Sequence, residues 1–240
     1  MSPQHSEIPW GAIRALTFDC YGTLVDWETG LAADLRAGLA ATLRASDEQC
    51  LRWYAEAEPR AEAGPFRPYR DVLRAALVDV AQQAQAPVRD PDALVRGLPH
   101  WPIFEDTTKA LRALQSRFKL CVCSNVDRDL FDETEKRLGV RFDEVVTADE
   151  IRSYKPAPDH WKVALRRLQM APQEVVHVAQ SLYHDIGPAT ALSLRTVWVD
   201  RRSGRAGGAT PPTQSRVRPS LRVTSLAELV SQIGIDPVDL

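Results

Sequence analysis

Four cysteines among 240 residues, none in the spacing of a zinc knuckle or a redox pair, exclude a disulfide-stapled or zinc-built domain. Cys20, Cys50, Cys121 and Cys123 are expected to be reduced, and Cys121 and Cys123, alternating along a predicted strand, to be small core residues. An excess of charge of one sign is also missing. Thirty Lys and Arg stand against 32 Asp and Glu, and the formal net charge of −2 creates no field for drawing in nucleic acid or an anionic membrane. No apolar run is long enough to span a bilayer, and residues 1–7 lack the basic and apolar regions of a secretory leader. No internal repeat is evident. The expectation is a cytoplasmic globular chain whose partner is a small molecule.

What is present is a recurring pattern of short apolar runs. They fall at Ile13–Phe18, Leu120–Cys123, Glu144–Thr147, Val175–Ala179 and Thr196–Val199. After the first, they are separated by helical periodicity at Asp106–Phe118, Arg128–Leu138, Asp159–Leu168 and Ile186–Leu192. Alternation of this kind predicts an α/β fold, a Rossmann-like parallel sheet of five strands with helices on both faces. The 44% hydrophobic content is enough for a sizeable core, and the length allows a second lobe.

Between the first and second strands lies an insertion with helical patterning only, at Leu31–Leu43, Glu48–Glu58 and Tyr69–Gln85. Pro59, Gly64, Pro65 and Pro68 punctuate its longest break. It is too long for a crossover. Residues 1–26 and 101–240 are therefore assigned to the sheet domain and residues 27–100 to a helical cap over the carboxyl ends of its strands. The segment Arg201–Ser220, rich in Gly, Pro and Arg, reads as a solvated loop or as a basic lip that draws anions toward the cleft.

Chemistry gathers at the strand ends. Asp19 closes the first strand and Gly22 allows a sharp turn directly after it, which presents a carboxylate at the crevice where open α/β sheets bind ligands. Ser124-Asn125, Lys155 and Asp185 follow at later strand or helix ends. Four such groups in this order resemble the motifs of the haloacid dehalogenase superfamily: a nucleophilic Asp, a Ser or Thr, a Lys at a helix start and an acidic fourth motif. The resemblance spans nearly the whole chain.

Two positions narrow what the resemblance implies. Superfamily phosphatases carry a second Asp two residues after the nucleophile, to protonate the leaving alcohol; here Tyr21 stands there. They also place a magnesium-binding Asp where this chain has Gln180, and an amide is a poor ligand for a hard cation. The pattern Asp-x-Tyr-Gly-Thr looks instead like the type II 2-haloacid dehalogenases, which implies no metal or other cofactor and a small carboxylic acid as substrate. Asp19 is then the nucleophile that forms an ester, and Asp185 guides the water that hydrolyses it. Lys155 is expected to hold Asp19 ionised by lowering its pKa. Ser124, Thr23 and the backbone N–H groups after Asp19, those of Cys20 and Tyr21, are the expected binding groups for the substrate carboxylate and the oxyanion, and Asn125, Gln180 and Ser181 are further expected substrate contacts. A homodimer is a family-level expectation.

Structural readings stand beside these. Ser124-Asn125 would serve as a helix cap, Lys155 as decoration of a helix start, Trp27 as a packing residue rather than an aromatic wall, and His177 and His184 as structural groups. Trp161 stands where type II enzymes have a Tyr and is expected to supply an apolar wall, and none of Arg44, Arg52, Arg60, Arg67 and Arg70 is marked as a halide-binding arginine. Asp26-Trp27-Glu28-Thr29-Gly30, Ser124-Asn125-Val126-Asp127-Arg128 and Ser181-Leu182-Tyr183-His184-Asp185 resemble azetidine-2-carboxylate hydrolases of the same superfamily. Those enzymes break a carbon–nitrogen bond, for which Tyr21, Tyr183 or His184 are candidate proton donors. A non-catalytic binding module is the alternative of a different class, and retention of Asp19, Lys155 and Asp185 argues against it.

Overall fold

Ala15-Leu16-Thr17-Phe18 is buried on both faces and forms the first strand, β1 (Ala15–Phe18), near the middle of a parallel sheet. The structure is a computed structural model that describes residues 8–40, 44–204 and 217–235. The insertion follows as α1 (Trp27–Gly38), α2 (Asp47–Glu62), α3 (Tyr69–Ala84) and the short α4 (Ala93–Gly97). Helix α1 starts four residues earlier than its apolar pattern suggests because the Asp26 carboxylate caps it, accepting from Thr29 N and Thr29 Oγ1. It stops at Gly38; residues 41–43, the end of the expected helix, lie outside the described residues. Helix α2 continues past Pro59 to Glu62, since its packing against α3 outweighs the proline.

The chain then alternates as expected: α5 (Thr107–Gln115), β2 (Lys119–Ser124), α6 (Arg128–Leu138), β3 (Glu144–Thr147), α7 (Ala148–Ile151), α8 (Asp159–Leu168) and β4 (Val175–Ala179). A π-helical turn, Leu182–Ile186, leads into α9 (Gly187–Ala191), β5 (Arg195–Val199), β6 (Leu221–Val223) and α10 (Leu226–Ile233). The sheet order is β3-β2-β1-β4-β5-β6 with every pair parallel, one strand more than expected. Strand β6 is three residues long with an arginine at its centre, too short to show a period in the sequence.

This order places a topological switch between β1 and β4. After β1 the chain builds outward through β2 and β3, then returns to the other side of β1, so the connections part above the carboxyl ends of β1 and β4. One apolar cluster joins the sheet to the insertion through residues such as Phe18, Leu24, Leu35, Tyr54, Leu77 and Phe131. The opposite face of the sheet packs Cys121, Cys123 and Val146 on Trp161, Ala164 and Leu168. All four cysteines are buried and unbridged. Among the described residues no helix is long and apolar enough to cross a membrane.

Asp127 ties the insertion to the sheet domain. Its buried carboxylate accepts from the backbone N–H groups of Tyr69 and Arg70, at 2.7 and 3.1 Å, and from Arg70 Nε at 2.8 Å. The positive end of α3 is thereby held by a negative charge, which fixes where Tyr69 points.

Candidate active site

The turn after β1 is built around one carbonyl. Cys20 C=O accepts from the N–H groups of Thr23, Leu24 and Val25 at 3.2, 2.7 and 3.1 Å. Gly22 adopts φ +96°, and a Cβ there would lie 3.0 Å from Trp27 Nε1 and 3.2 Å from Gln180 Oε1, so both backbone and space require glycine. The turn leaves Asp19 at the switch point, nearly buried, with Thr23 Oγ1 donating to its Oδ2 at 2.7 Å. Gln180 N in turn donates to Thr23 Oγ1 at 2.9 Å, which ties the ends of β1 and β4 together.

Lys155 joins three elements. Its buried ammonium donates to Asp19 Oδ1 at 2.8 Å, Asp185 Oδ1 at 2.7 Å and Cys123 C=O at 2.9 Å. Asn125 holds the lysine backbone in both directions: Lys155 N donates to its Oδ1 at 2.8 Å, and its Nδ2 donates to Lys155 C=O at 3.1 Å. Asp185 is braced from behind by His177 Nε2 at 3.1 Å, and His177 Nδ1 meets Thr17 Oγ1 at 2.9 Å. Because an ionised carboxylate only accepts, Nε2 carries a proton toward Asp185.

The two carboxylates share one ammonium unequally. Burial disfavours the Lys155 charge, but Asp185 and Asp19 together more than offset it and hold the lysine protonated. Burial likewise opposes ionisation of Asp185, yet the lysine charge and the His177 bond hold its pKa below the usual carboxylate range. For Asp19 burial wins: although Lys155 opposes it, the neighbouring Asp185 adds repulsion, and its pKa is raised. Lys155 does lower the Asp19 pKa, as expected, but burial and Asp185 together outweigh it. A single cation neutralises one buried carboxylate, and the other keeps a stronger affinity for electrophiles, proton or carbon alike.

Above the trio is a small cavity of about 50 Å³. Of the expected site residues, Asp19, Tyr21, Trp27, Ser124, Asn125, Lys155, Gln180, Ser181 and Asp185 line it. Ser124 Oγ is buried there without a hydrogen-bond partner. The helix-cap reading of Ser124-Asn125 does not hold, since Asp127 occupies the N-cap of α6 and Asn125 spends its amide on Lys155. Trp27 lines the cavity, and its ring packs edge-on to Tyr54 at 6.1 Å.

Two expected contacts are corrected, those of Thr23 and Trp161. The Cys20 side chain is fully buried in the main apolar cluster, which leaves its backbone as the part of the residue able to meet substrate. Thr23 acts on Asp19 and does not line the cavity. Trp161 lies on the far face of the sheet with Cys121 and Cys123, edge-on to His177 at 5.3 Å, because α8 turns it toward the apolar layer. Arg201, expected in a solvated loop or basic lip, is a half-buried strut instead. It donates to Thr23 C=O through Nε and Nη2 at 3.1 and 2.9 Å, pairs with Asp106 at 2.8 Å, and stacks on Phe104. Residues 205–216 of that segment lie outside the described residues.

Sequence reasoning missed Glu58 and Tyr69, which reach the cavity from α2 and α3. Glu58 Oε1 accepts from Tyr54 OH at 3.0 Å and Tyr69 OH at 2.6 Å. The signal was present: Cys50, Leu51, Tyr54, Ala57 and Ala61 form the buried stripe of α2, and Glu58 is a carboxylate set within it. His184 also lines the cavity, and burial drops its pKa to about 4, so it is neutral at neutral pH.

The residues present do not fit a divalent cation. Position 21 is a tyrosine and position 180 an amide, and Asp185 Oδ1 already takes both Lys155 and His177. Among the described residues no group of three His, Cys, Asp or Glu side chains is placed to hold a metal.

Known proteins agree with this architecture. The chain is 29% identical over 195 residues to (S)-2-haloacid dehalogenase 1 of Pseudomonas sp. (strain CBS-3), covering 79% of this chain and 85% of that protein. It is also 28% identical over 174 residues to a phosphoserine phosphatase of Thermus thermophilus, covering 70% of this chain and 66% of that protein. A solved structure of L-2-haloacid dehalogenase from Xanthobacter autotrophicus with chloropropionic acid covalently bound superposes with a TM-score of 0.76 at 21% identity, over 92% of this chain and 98% of that one. The family described as haloacid dehalogenase-like hydrolase matches residues 13–191, the span that carries Asp19, Ser124, Lys155 and Asp185, and the chain belongs to that family of hydrolases.

Proposed function

We propose that this hydrolase displaces a leaving group from C2 of a small 2-substituted carboxylic acid through a covalent ester on Asp19, without a metal. The observation that carries the reading is the buried Asp19–Lys155–Asp185 trio combined with Tyr21 and Gln180 at the positions where a phosphatase needs carboxylates. An Asp19 oxygen attacks C2, the bond from C2 to the leaving group breaks, and the configuration inverts. Ser124 Oγ, buried and unpartnered, suits the substrate carboxylate. Water oriented by Asp185 then adds to the Asp19 carbonyl, and its proton passes to the departing 2-hydroxy acid as the carboxylate is regenerated. The low proton affinity of Asp185 makes it an orienting group. Trp27 and the insertion keep bulk water from the reacting carbon.

Relatives bearing the name of 2-haloacid dehalogenases support 2-haloacids as reference substrates. The test is a panel of 2-chloropropionate, azetidine-2-carboxylate and a generic phosphate ester, each assayed with and without chelator. Turnover of a 2-substituted acid that survives chelator is the expected result. Activity confined to the phosphate ester and restored by magnesium would overturn it.

A further inference from the structure

Strand β4 reads Val175-Val176-His177-Val178-Ala179 and is buried throughout, and an imidazole at its centre carries a desolvation cost that another aliphatic side chain would not. The register sets His177 beside Thr17 on β1 and Thr196 on β5, so it belongs to a polar row inside an otherwise apolar sheet. Both ring nitrogens are used, Nδ1 with Thr17 Oγ1 at 2.9 Å and Nε2 on Asp185 Oδ1 at 3.1 Å. Thr17 stands two residues before Asp19, and the imidazole therefore links the strand of the nucleophile to the acid that guides water.

Asp185 is held through one oxygen. Lys155 Nζ and His177 Nε2 both bond Oδ1, which leaves Oδ2 to the cavity that Asp185 lines. The two donors are not equivalent during turnover. Lys155 divides its charge between Asp19 and Asp185, and once Asp19 is an ester it loses one of the two carboxylates that place it. The His177 bond involves neither Asp19 nor the substrate and is unchanged when the ester forms. Burial opposes ionisation of Asp185, and Lys155 and then the His177 bond lower its pKa and keep it charged.

We propose that His177 is a positioning residue for the second half-reaction: its Nε2 fixes Asp185 so that Oδ2 orients the water that hydrolyses the Asp19 ester. This rests on the ester mechanism proposed above and adds a residue that acts on one of its steps. The water oxygen bonds the Asp19 carbonyl carbon, and the bond from that carbon to the substrate oxygen breaks. One water proton passes to the departing oxygen and the other to solvent, so the Asp19 carboxylate and a 2-hydroxy acid result. Attack of Asp19 on C2 uses no water, and the first half-reaction does not draw on the His177 bond.

The test puts two amides in place of the imidazole. His177→Gln keeps a donor near the Nε2 position, whereas His177→Asn reaches only the Nδ1 position and so serves Thr17 but not Asp185. Both bury an amide, and thermal unfolding of each variant measures the structural cost separately. With 2-chloropropionate as the probe, or azetidine-2-carboxylate if that is the acid turned over, mass spectrometry of quenched His177→Asn should find Asp19 esterified. Ester hydrolysis should be about 10- to 100-fold slower, as loss of one hydrogen bond to a charged group implies. Then kcat and KM fall together while kcat/KM, set by ester formation, is held. His177→Gln should restore hydrolysis. Equal losses of kcat and kcat/KM in both amides without esterified Asp19, or full activity in both, would return His177 to the core and leave the ester mechanism standing. Wild-type protein inert toward both acids, or ¹⁸O from water found only in the product, would overturn the mechanism and this inference together.

Discussion

Replacing Lys155 by Met keeps an apolar stem of similar length and removes the ammonium from between two buried carboxylates. Its Nζ lies 2.8 Å from Asp19 Oδ1 and 2.7 Å from Asp185 Oδ1. At an effective dielectric of about 20, a unit pair at that separation attracts by roughly 6 kcal/mol, comparable to the several kcal/mol of desolvation each buried ion carries. The intact trio therefore adds little net stability. Without the cation the desolvation is uncompensated, and Lys155→Met should lose about 3–5 kcal/mol at pH 7.

The sign of the pH dependence follows from the shifts. The lowered Asp185 pKa gives the wild type stability that is present above the unfolded value of about 3.9 and lost only as pH falls through the still lower folded value. The raised Lys155 pKa contributes fully below about 10.5 and is lost as pH rises through its higher folded value. In the variant both carboxylates shift upward, so they take up protons as pH falls from 7 toward 4 and the deficit narrows. Urea unfolding at pH 7 and pH 4.5 measures this. A deficit below about 1 kcal/mol at pH 7, or one that does not change with pH, would refute the shared-cation account.

The raised Asp19 pKa places the acid limb of kcat/KM above the ordinary carboxylate value of 3.8, because activity needs Asp19 ionised; a limb at or below 3.8 would contradict the assignment. Trp27→Ala and Trp161→Ala should separate, the first depressing turnover more than stability because Trp27 lines the cavity, the second lowering stability by about 3–5 kcal/mol because Trp161 is core. Matched kinetic losses in both would return Trp161 to the site.

The strand-end groups were legible because a parallel strand buried on both faces leaves its signature in sequence, and Asp19 and Ser124 lie where such strands end, whereas Lys155 stands in the loop between α7 and α8. The far side of the site was less legible. Glu58 and Tyr69 enter from helices whose orientation depends on contacts such as Asp127 with the start of α3, which pair residues 58 positions apart. Arg201 looked solvated by composition, yet Asp106 and the Thr23 carbonyl draw it inward, an effect of tertiary placement that local composition does not encode. Trp161 matches the Tyr of type II enzymes in sequence position alone; helix α8 turns it toward the sheet.

The central claim is that Asp19 becomes an ester. With enzyme in excess, a single turnover of whichever 2-substituted acid is active, run in ¹⁸O water, should place the heavy oxygen in the Asp19 carboxylate and leave the product hydroxyl unlabelled. Label in the product alone would mean that water attacks C2 directly, and the nucleophile assigned to Asp19 would be wrong.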